Sequence, residues 1–235
     1  MILAIETSAK AASVCLTQDE TLIAQSYQNS GLTHSQTILP MCEQMLKHCG
    51  AALEQVDVIA CAAGPGSFTG LRIGLSTAKG LAWSTGKPCC GVSTLEAMAW
   101  QAAHMGGEIL CAMDARRGQV YNARFFSDGT TLTRLCEDRA ISLADLFQEI
   151  DGKTEQIIIG DGAGLCYNYG EGVQCPVRLA PPHLRFQSAW GVARAALEQS
   201  RRGGLCSAQE LSAHYIRLSQ AERERLERQK QEQNC

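Results

Sequence analysis

The sequence predicts an α/β fold in two related halves. Three observations point there. Short apolar runs alternate with helix-period segments along the 235-residue chain. Two of those runs, Ile2-Leu3-Ala4-Ile5-Glu6 and Leu110-Cys111-Ala112-Met113-Asp114, each end in a carboxylate and stand 108 residues apart, close to half the chain. Glycine punctuates the strand-to-helix junction at Gly64-Pro65-Gly66.

Taken in order, Ile2–Ile5 reads as a buried strand ending at Glu6. Ala12–Leu16 and Leu22–Tyr27 follow as two more strands, joined by the polar turn Gln18-Asp19-Glu20. Thr33–Cys49 has Ile38, Met41, Cys42, Met45, Leu46 and Cys49 on one face at helical spacing. Thr33 is its expected cap and Gly50 its stop, while Pro40 predicts a kink or a late start. Val56–Ala63 is a strand, Ser67–Ser84 a long small-residue helix, Lys87–Val92 a strand and Thr94–Met105 a helix.

The pattern then restarts. Glu108–Met113 and Gln119–Phe126 read as strands around the turn Ala115-Arg116-Arg117-Gly118. Leu143–Glu149 reads as a helix, Gln156–Ile159 as a strand, Gly160–Gly164 as a glycine loop and Ser188–Arg201 as an amphipathic helix. A strand meander followed by β-α units, appearing twice, is the layout of the actin, sugar-kinase and Hsp70 (ASKHA) architecture, with two βββαβα-type halves. The expected organisation is a first subdomain over 1–105, with the helix at 187–203 packing back on it, a second over 106–218, and a charged tail over 219–235, poor enough in apolar residues to fray or stay disordered.

Composition excludes several classes. At 45% hydrophobic and 19% charged the chain is not generally disordered. A net charge of −3 provides no global basic field for nucleic acid, so any RNA contact is local or shared with a partner. The 12 cysteines include no Cys-x-x-Cys pair, and Cys15, Cys61 and Cys111 sit in apolar runs, which reads as reduced buried thiols in a cytoplasmic protein. The N-terminus lacks a basic n-region, and no apolar run approaches a membrane span.

The strongest signal is Gly64-Pro65-Gly66-Ser67-Phe68-Thr69-Gly70-Leu71-Arg72-Ile73-Gly74. It lacks the Gly-Lys-Ser/Thr ending of a phosphate-cradling Walker loop, and no Gly-x-Gly-x-x-Gly can be read from it. Gly66, Gly70, Gly74, Ala78 and Ala82 instead recur every four residues and form one helical stripe. Glycine inside a helix costs about 1 kcal/mol against alanine, and the usual return is close approach of another backbone. That neighbour is either an element of the same fold or a second chain. The length of the stripe, and Leu71, Leu75 and Trp83 beside it, favour a second chain. On that reading Gly74→Leu leaves the monomer folded and weakens association.

Other candidates carry less. His34 has Thr37 and Ile38 at the positions where a helical metal site needs a second histidine, so no metal site is expected and His34 reads as a hydrogen-bonding helix-start residue. Glu6 and Asp114 end their strands where an acid can hold a metal–nucleotide, but Thr7-Ser8-Ala9-Lys10 has no glycine for a phosphate hairpin. Arg116 and Arg117 suit either a partner carboxylate, an RNA phosphate or a solvated turn.

Several motifs resemble the bacterial TsaB (YeaZ) family over roughly residues 1–218: Ile2-Leu3-Ala4-Ile5-Glu6-Thr7, the Gly64–Gly74 string, Gly91-Val92-Ser93-Thr94-Leu95, Asp114-Ala115-Arg116 with Gly118 and Val120-Tyr121, and Tyr215-Ile216-Arg217. The resemblance implies a non-catalytic subunit in the formation of N6-threonylcarbamoyladenosine at position 37 of tRNAs that read ANN codons. It implies a heterodimer with the catalytic paralogue TsaD, which this subunit activates, the TsaE ATPase as a further partner, only indirect contact with tRNA, no cofactor and no membrane. The family's docking surface is built from the first two long helices. The expected interface here therefore comprises His34, Ile38, Met41, Cys42 and Met45 on the first, and Gly66, Ser67, Gly70, Leu71, Arg72, Gly74, Leu75, Ala78 and Ala82 on the second. Glu6, Thr7, Asp114 and Arg116 are expected nucleotide or partner contacts. The stripe also suits a homodimer of the isolated chain. The rival readings are a nucleotide-dependent enzyme of the same superfold and a TsaD-like metalloprotease. Glu6 stands where the family usually has Asp, and the charged tail is not a family feature.

Overall fold

A computed structural model describes residues 1–217; the charged tail proposed over 219–235, and Leu218, lie outside the described residues. The chain forms two sheets. In the first, β1 (Ile2–Glu6), β2 (Ala12–Gln18) and β3 (Thr21–Gln28) make an antiparallel meander. α1 (His34–His48) leads to β4 (Val58–Gly64), then α2 (Phe68–Thr85) to β5 (Cys89–Ser93). The order is β3-β2-β1-β4-β5, with β4 parallel to both β1 and β5.

α3 (Thr94–Ala102) and a short 3-10 turn then lead to the second sheet. Its strands are β6 (Gly107–Asp114), β7 (Gln119–Ser127), β8 (Leu132–Arg134), β9 (Arg139–Ser142), β10 (Gln156–Ile159) and β11 (Val177–Leu179). α4 (Leu143–Gln148), α5 (Ala163–Gly172) and α6 (Ala189–Arg201) complete the chain. Read from β8, the order is β8-β7-β6-β10-β11, and β6 pairs antiparallel with β7 and parallel with β10 as β1 does with β2 and β4. The two strands that end in Glu6 and Asp114 thus occupy the same place in two copies of one topology, which is the ASKHA architecture.

Alternation along the strands builds the layers. Leu3 and Ile5 face Ile38 and Cys42 of α1 and Leu71 and Leu75 of α2, whereas Ile2 and Ala4 face Val192 and Ala196 of α6. α3 lies between the sheets: Ala97 and Trp100 pack with α6, and Leu95, Met98 and Ala102 pack on Ile109 and Ile159. α4 and α5 cover the far face through Leu146 and Cys166.

Local expectations fail in places. Thr33 stands at the N-cap of α1, but its side chain makes no capping bond. α1 starts at His34 and runs through Pro40, so the expected late start does not occur. Of the glycine loop expected at 160–164, residues 160–162 form the turn, but Ala163 and Gly164 already open α5, a helix the sequence hides behind Gly164, Gly170 and Gly172. Gly170 is needed for packing, because a Cβ there meets Val177 Cγ1 at 2.7 Å and Phe147 Cε1 at 2.9 Å. The short strands β8, β9 and β11, of three to four residues, carry too little periodicity to read.

Residues 206–217 have no helix or strand of their own, yet they brace the first sheet. Cys206 pairs with Cys89, Leu211 is buried in the core, and His214 N–H donates to Ala63 O at 2.7 Å. Tyr215 then stacks on Phe68 at 4.5 Å, and Arg217 Nη1 donates to Ala115 O at 2.8 Å.

Candidate docking face

The N-terminus of α2 is fixed from inside the fold. Ser67 is its N-cap, and its hydroxyl accepts from Gly70 N–H at 3.3 Å. Ser67 N–H donates to Ser8 O at 2.7 Å, and Thr7 Oγ1 donates to Gly70 O at 2.8 Å. The turn after β1 therefore lies directly on the start of α2. A Cβ on Gly66 meets Ser8 O at 2.6 Å, one on Gly70 meets Thr7 O at 2.1 Å, and one on Gly74 meets Thr7 Oγ1 at 2.3 Å. No side chain fits at these distances, so the glycines answer to the protein's own turn after β1, Gly66 and Gly70 to its carbonyls and Gly74 to the Thr7 hydroxyl.

This corrects the expected interface. Gly70, Leu71, Gly74, Leu75, Ala78 and Ala82 are buried within the first lobe, as are Ile38, Cys42 and Met45 of α1. A partner cannot reach them. For the same reason Gly74→Leu would not leave the monomer intact. Of the interface residues read from sequence, Ser67 and Arg72 are exposed, and His34, Met41 and Gly66 are partly so. His34 is tied inward, its Nε2 within 2.8 Å of Ala9 O.

α1 and α2 still present an outer surface, on other residues. Arg72, Ser76, Gly80 and Trp83 follow one another at helical spacing along the exposed side of α2. Trp83 is 66% exposed, and nothing lies within 4 Å of a Cβ on Gly80. On α1, Leu39 is 52% exposed, with Glu43 and Lys47 following on the same side. Arg72 is pre-positioned: its guanidinium lies 4.0 Å above the Phe68 ring, and Nε donates to Tyr215 Oη at 3.3 Å. The apolar periodicity read from the sequence marks the core-facing side of both helices. The signal for the outer side was Trp83, a large aromatic out of register with that face.

The interlobe ends of β1 and β6 carry the other candidates. Glu6 is fully buried; its Oε1 accepts from Ser8 N–H at 2.5 Å and its Oε2 has no partner. Burial, offset in part by Ser8 and reinforced by Asp161, pushes its carboxyl up to about 7. Thr7 is fully committed to Gly70. Asp161, raised by burial and by Asp114, accepts from Gln187 Nε2 at 2.8 Å. Asp114 Oδ1 accepts from Arg116 N–H at 2.7 Å, which shapes the β6–β7 turn. Arg116 and Arg117 both adopt left-handed backbone, with φ of 66° and 55°, and the Arg116 side chain is 83% exposed. Ser8 O takes the Ser67 amide, so that backbone donor at the start of α2 is already engaged. Among the described residues no group of three or more His, Cys, Asp and Glu side chains is arranged to hold a metal, and no helix is long and apolar enough to cross a membrane.

Fold and site together define a two-lobed ASKHA-class protein with its strand-end loops bonded to one another and two helices exposed on one lobe. A family model described as "TsaD: tRNA N6-adenosine threonylcarbamoyltransferase" matches residues 27–171. The TsaB protein of Escherichia coli K12 is 38% identical over 167 residues, covering 68% of this chain and 71% of the relative. That of Bacillus subtilis 168 is 36% identical over 157 residues, covering 67% and 69%. YeaZ from Pseudomonas aeruginosa superposes with a TM-score of 0.77 at 27% identity, over 91% of this chain and 98% of that one. The chain belongs to the TsaB (YeaZ) family of tRNA threonylcarbamoyladenosine biosynthesis proteins.

Proposed function

We propose that this chain is the non-catalytic docking subunit of the complex that forms N6-threonylcarbamoyladenosine at position 37 of ANN-decoding tRNAs in the cytoplasm. It pairs with and activates TsaD, which carries the transfer chemistry, and the TsaE ATPase joins the pair. The observation that carries the reading is the exposed stripe Arg72–Ser76–Gly80–Trp83 beside Leu39: small residues at its centre admit close helix approach, and Trp83 is an anchor of the kind that dominates interface energy. Arg116 provides a second contact, since an exposed guanidinium on a fixed hairpin tip suits a partner carboxylate. A non-catalytic role is supported by the engaged Ser67 amide and the closed turn at Thr7–Ser8. The rival nucleotide-dependent enzyme would need that turn to open. Reconstituted tRNA modification tests the proposal: product should require both TsaD and this chain, and undiminished product without this chain would refute it.

A further inference from the structure

α2 carries no acidic residue from Phe68 to Thr85, and its two cations are Arg72 and Lys79. Arg72 is exposed, yet its guanidinium is held on two sides, by the Phe68 ring at 4.0 Å and by Tyr215 Oη, which accepts from Nε at 3.3 Å. Among the described residues no carboxylate lies within ion-pair distance of it. The N–H donors of a guanidinium sit in one rigid plane. With Nε on Tyr215, the side-on edge through Nε is taken and the edge formed by Nη1 and Nη2 is left open. Tyr215 is itself pinned on both flanks. On one, His214 N–H donates to Ala63 O at 2.7 Å in the first lobe. On the other, Arg217 Nη1 donates to Ala115 O at 2.8 Å, and its guanidinium stands 5.8 Å from the Tyr121 ring, at the β6–β7 turn of the second lobe. The Tyr215 ring stacks on Phe68 at 4.5 Å with the planes 26° apart. A hydroxyl that belongs to neither docking helix thus fixes the direction of the Arg72 guanidinium.

We propose that Tyr215 is a positioning residue for docking: it holds Arg72 so that the Nη1–Nη2 edge meets a carboxylate on a partner helix laid along the outer side of α2. The proposal rests on the docking reading above, and adds to it the segment after Cys206 and the chemistry of the group that Arg72 meets. A fixed guanidinium takes a carboxylate through two parallel hydrogen bonds. A side chain ordered before the encounter also spares the entropy of ordering it on binding. The neighbours select a protein carboxylate over a phosphate backbone. From Arg72 the outer side continues through Ser76, Gly80 and Trp83, residues that suit a packed helix, and the other cation of α2 has its Nζ 3.5 Å from Gln209 O. A nucleic-acid backbone calls instead for a row of free cations.

Calorimetric titration of TsaD with the full chain, with Tyr215→Phe, with Arg72→Met and with the double variant tests this. Tyr215→Phe keeps the ring stacked on Phe68 and removes only the acceptor for Arg72 Nε. It should melt with the wild type and weaken binding roughly 3- to 10-fold. Arg72→Met should weaken binding at least ~10-fold, and should flatten the loss of affinity that the wild type shows between roughly 50 and 300 mM salt. In the Arg72→Met background Tyr215→Phe should add nothing, because Tyr215 acts only through Arg72. A merely structural Tyr215 would lower the melting temperature and keep its effect in that background. The proposal is overturned if the two effects add, or if Tyr215→Phe binds as the wild type does while Arg72→Met or Trp83→Ala binds more weakly, an outcome that leaves the docking face standing. It is overturned too if both variants keep their affinity for TsaD and lose binding to transcribed tRNA, which would make Arg72 an RNA contact. Unweakened binding in Arg72→Met and Trp83→Ala alike would remove the docking face itself, and the proposal with it.

Discussion

Thr7 and Gly70 hold each other in place: the Thr7 hydroxyl donates to Gly70 O at 2.8 Å, and Thr7 O stands 2.1 Å from the position a Cβ on Gly70 would take. Gly70→Ala must therefore displace either α2 or the turn after β1. Overpacking of this kind costs about 2 kcal/mol or more. Gly80→Ala, on the exposed side of the same helix with no atom within 4 Å, should instead gain up to ~1 kcal/mol of helix propensity. Urea unfolding of the two variants checks the contrast. Equal stability in both would mean that the stripe does not answer to the Thr7 turn.

That contrast also marks what the sequence can convey. A repeat every four residues says that some backbone comes close, and says nothing of whose. The ASKHA topology was legible because Glu6 and Asp114 close matching strands and β-α order then fixes the sheets. The helices α1 and α2 were legible too, and Ile38, Leu71 and Leu75 mark the core side of each. The brace of Leu211, His214 and Tyr215 across Gly64 and Phe68 escaped because it rests on single contacts without periodicity.

Glu6 should make stability fall as pH rises. Its folded carboxyl is pushed up from 4.5 to about 7 by burial, so the folded state holds a proton that the unfolded state has released. This contribution is fully present below about pH 4.5 and is lost as pH rises through 7; it amounts to roughly 3 kcal/mol over that window. Glu6→Gln should flatten the decline and be the more stable protein at pH 8. Denaturant midpoints from pH 5 to 8 measure it, and an unchanged slope in the variant would remove Glu6 as the cause.

Arg117 carries backbone strain at the β6–β7 turn, with φ of 55°. A non-glycine residue in this region costs about 1 kcal/mol. Arg117→Gly relieves it and should raise the melting temperature slightly, by a few degrees at most. A lower melting temperature would show that the Arg117 side chain stabilises the turn by more than the strain.

Calorimetric titration of TsaD with this chain tests the docking face most directly. Trp83 lies 66% exposed, so Trp83→Ala should fold normally with an unchanged melting temperature. Loss of an aromatic anchor costs about 2 kcal/mol of binding, so the dissociation constant should rise at least ~10-fold. An unchanged dissociation constant in Trp83→Ala, with wild-type binding intact, would contradict the assignment of the outer side of α2 as the surface that meets TsaD.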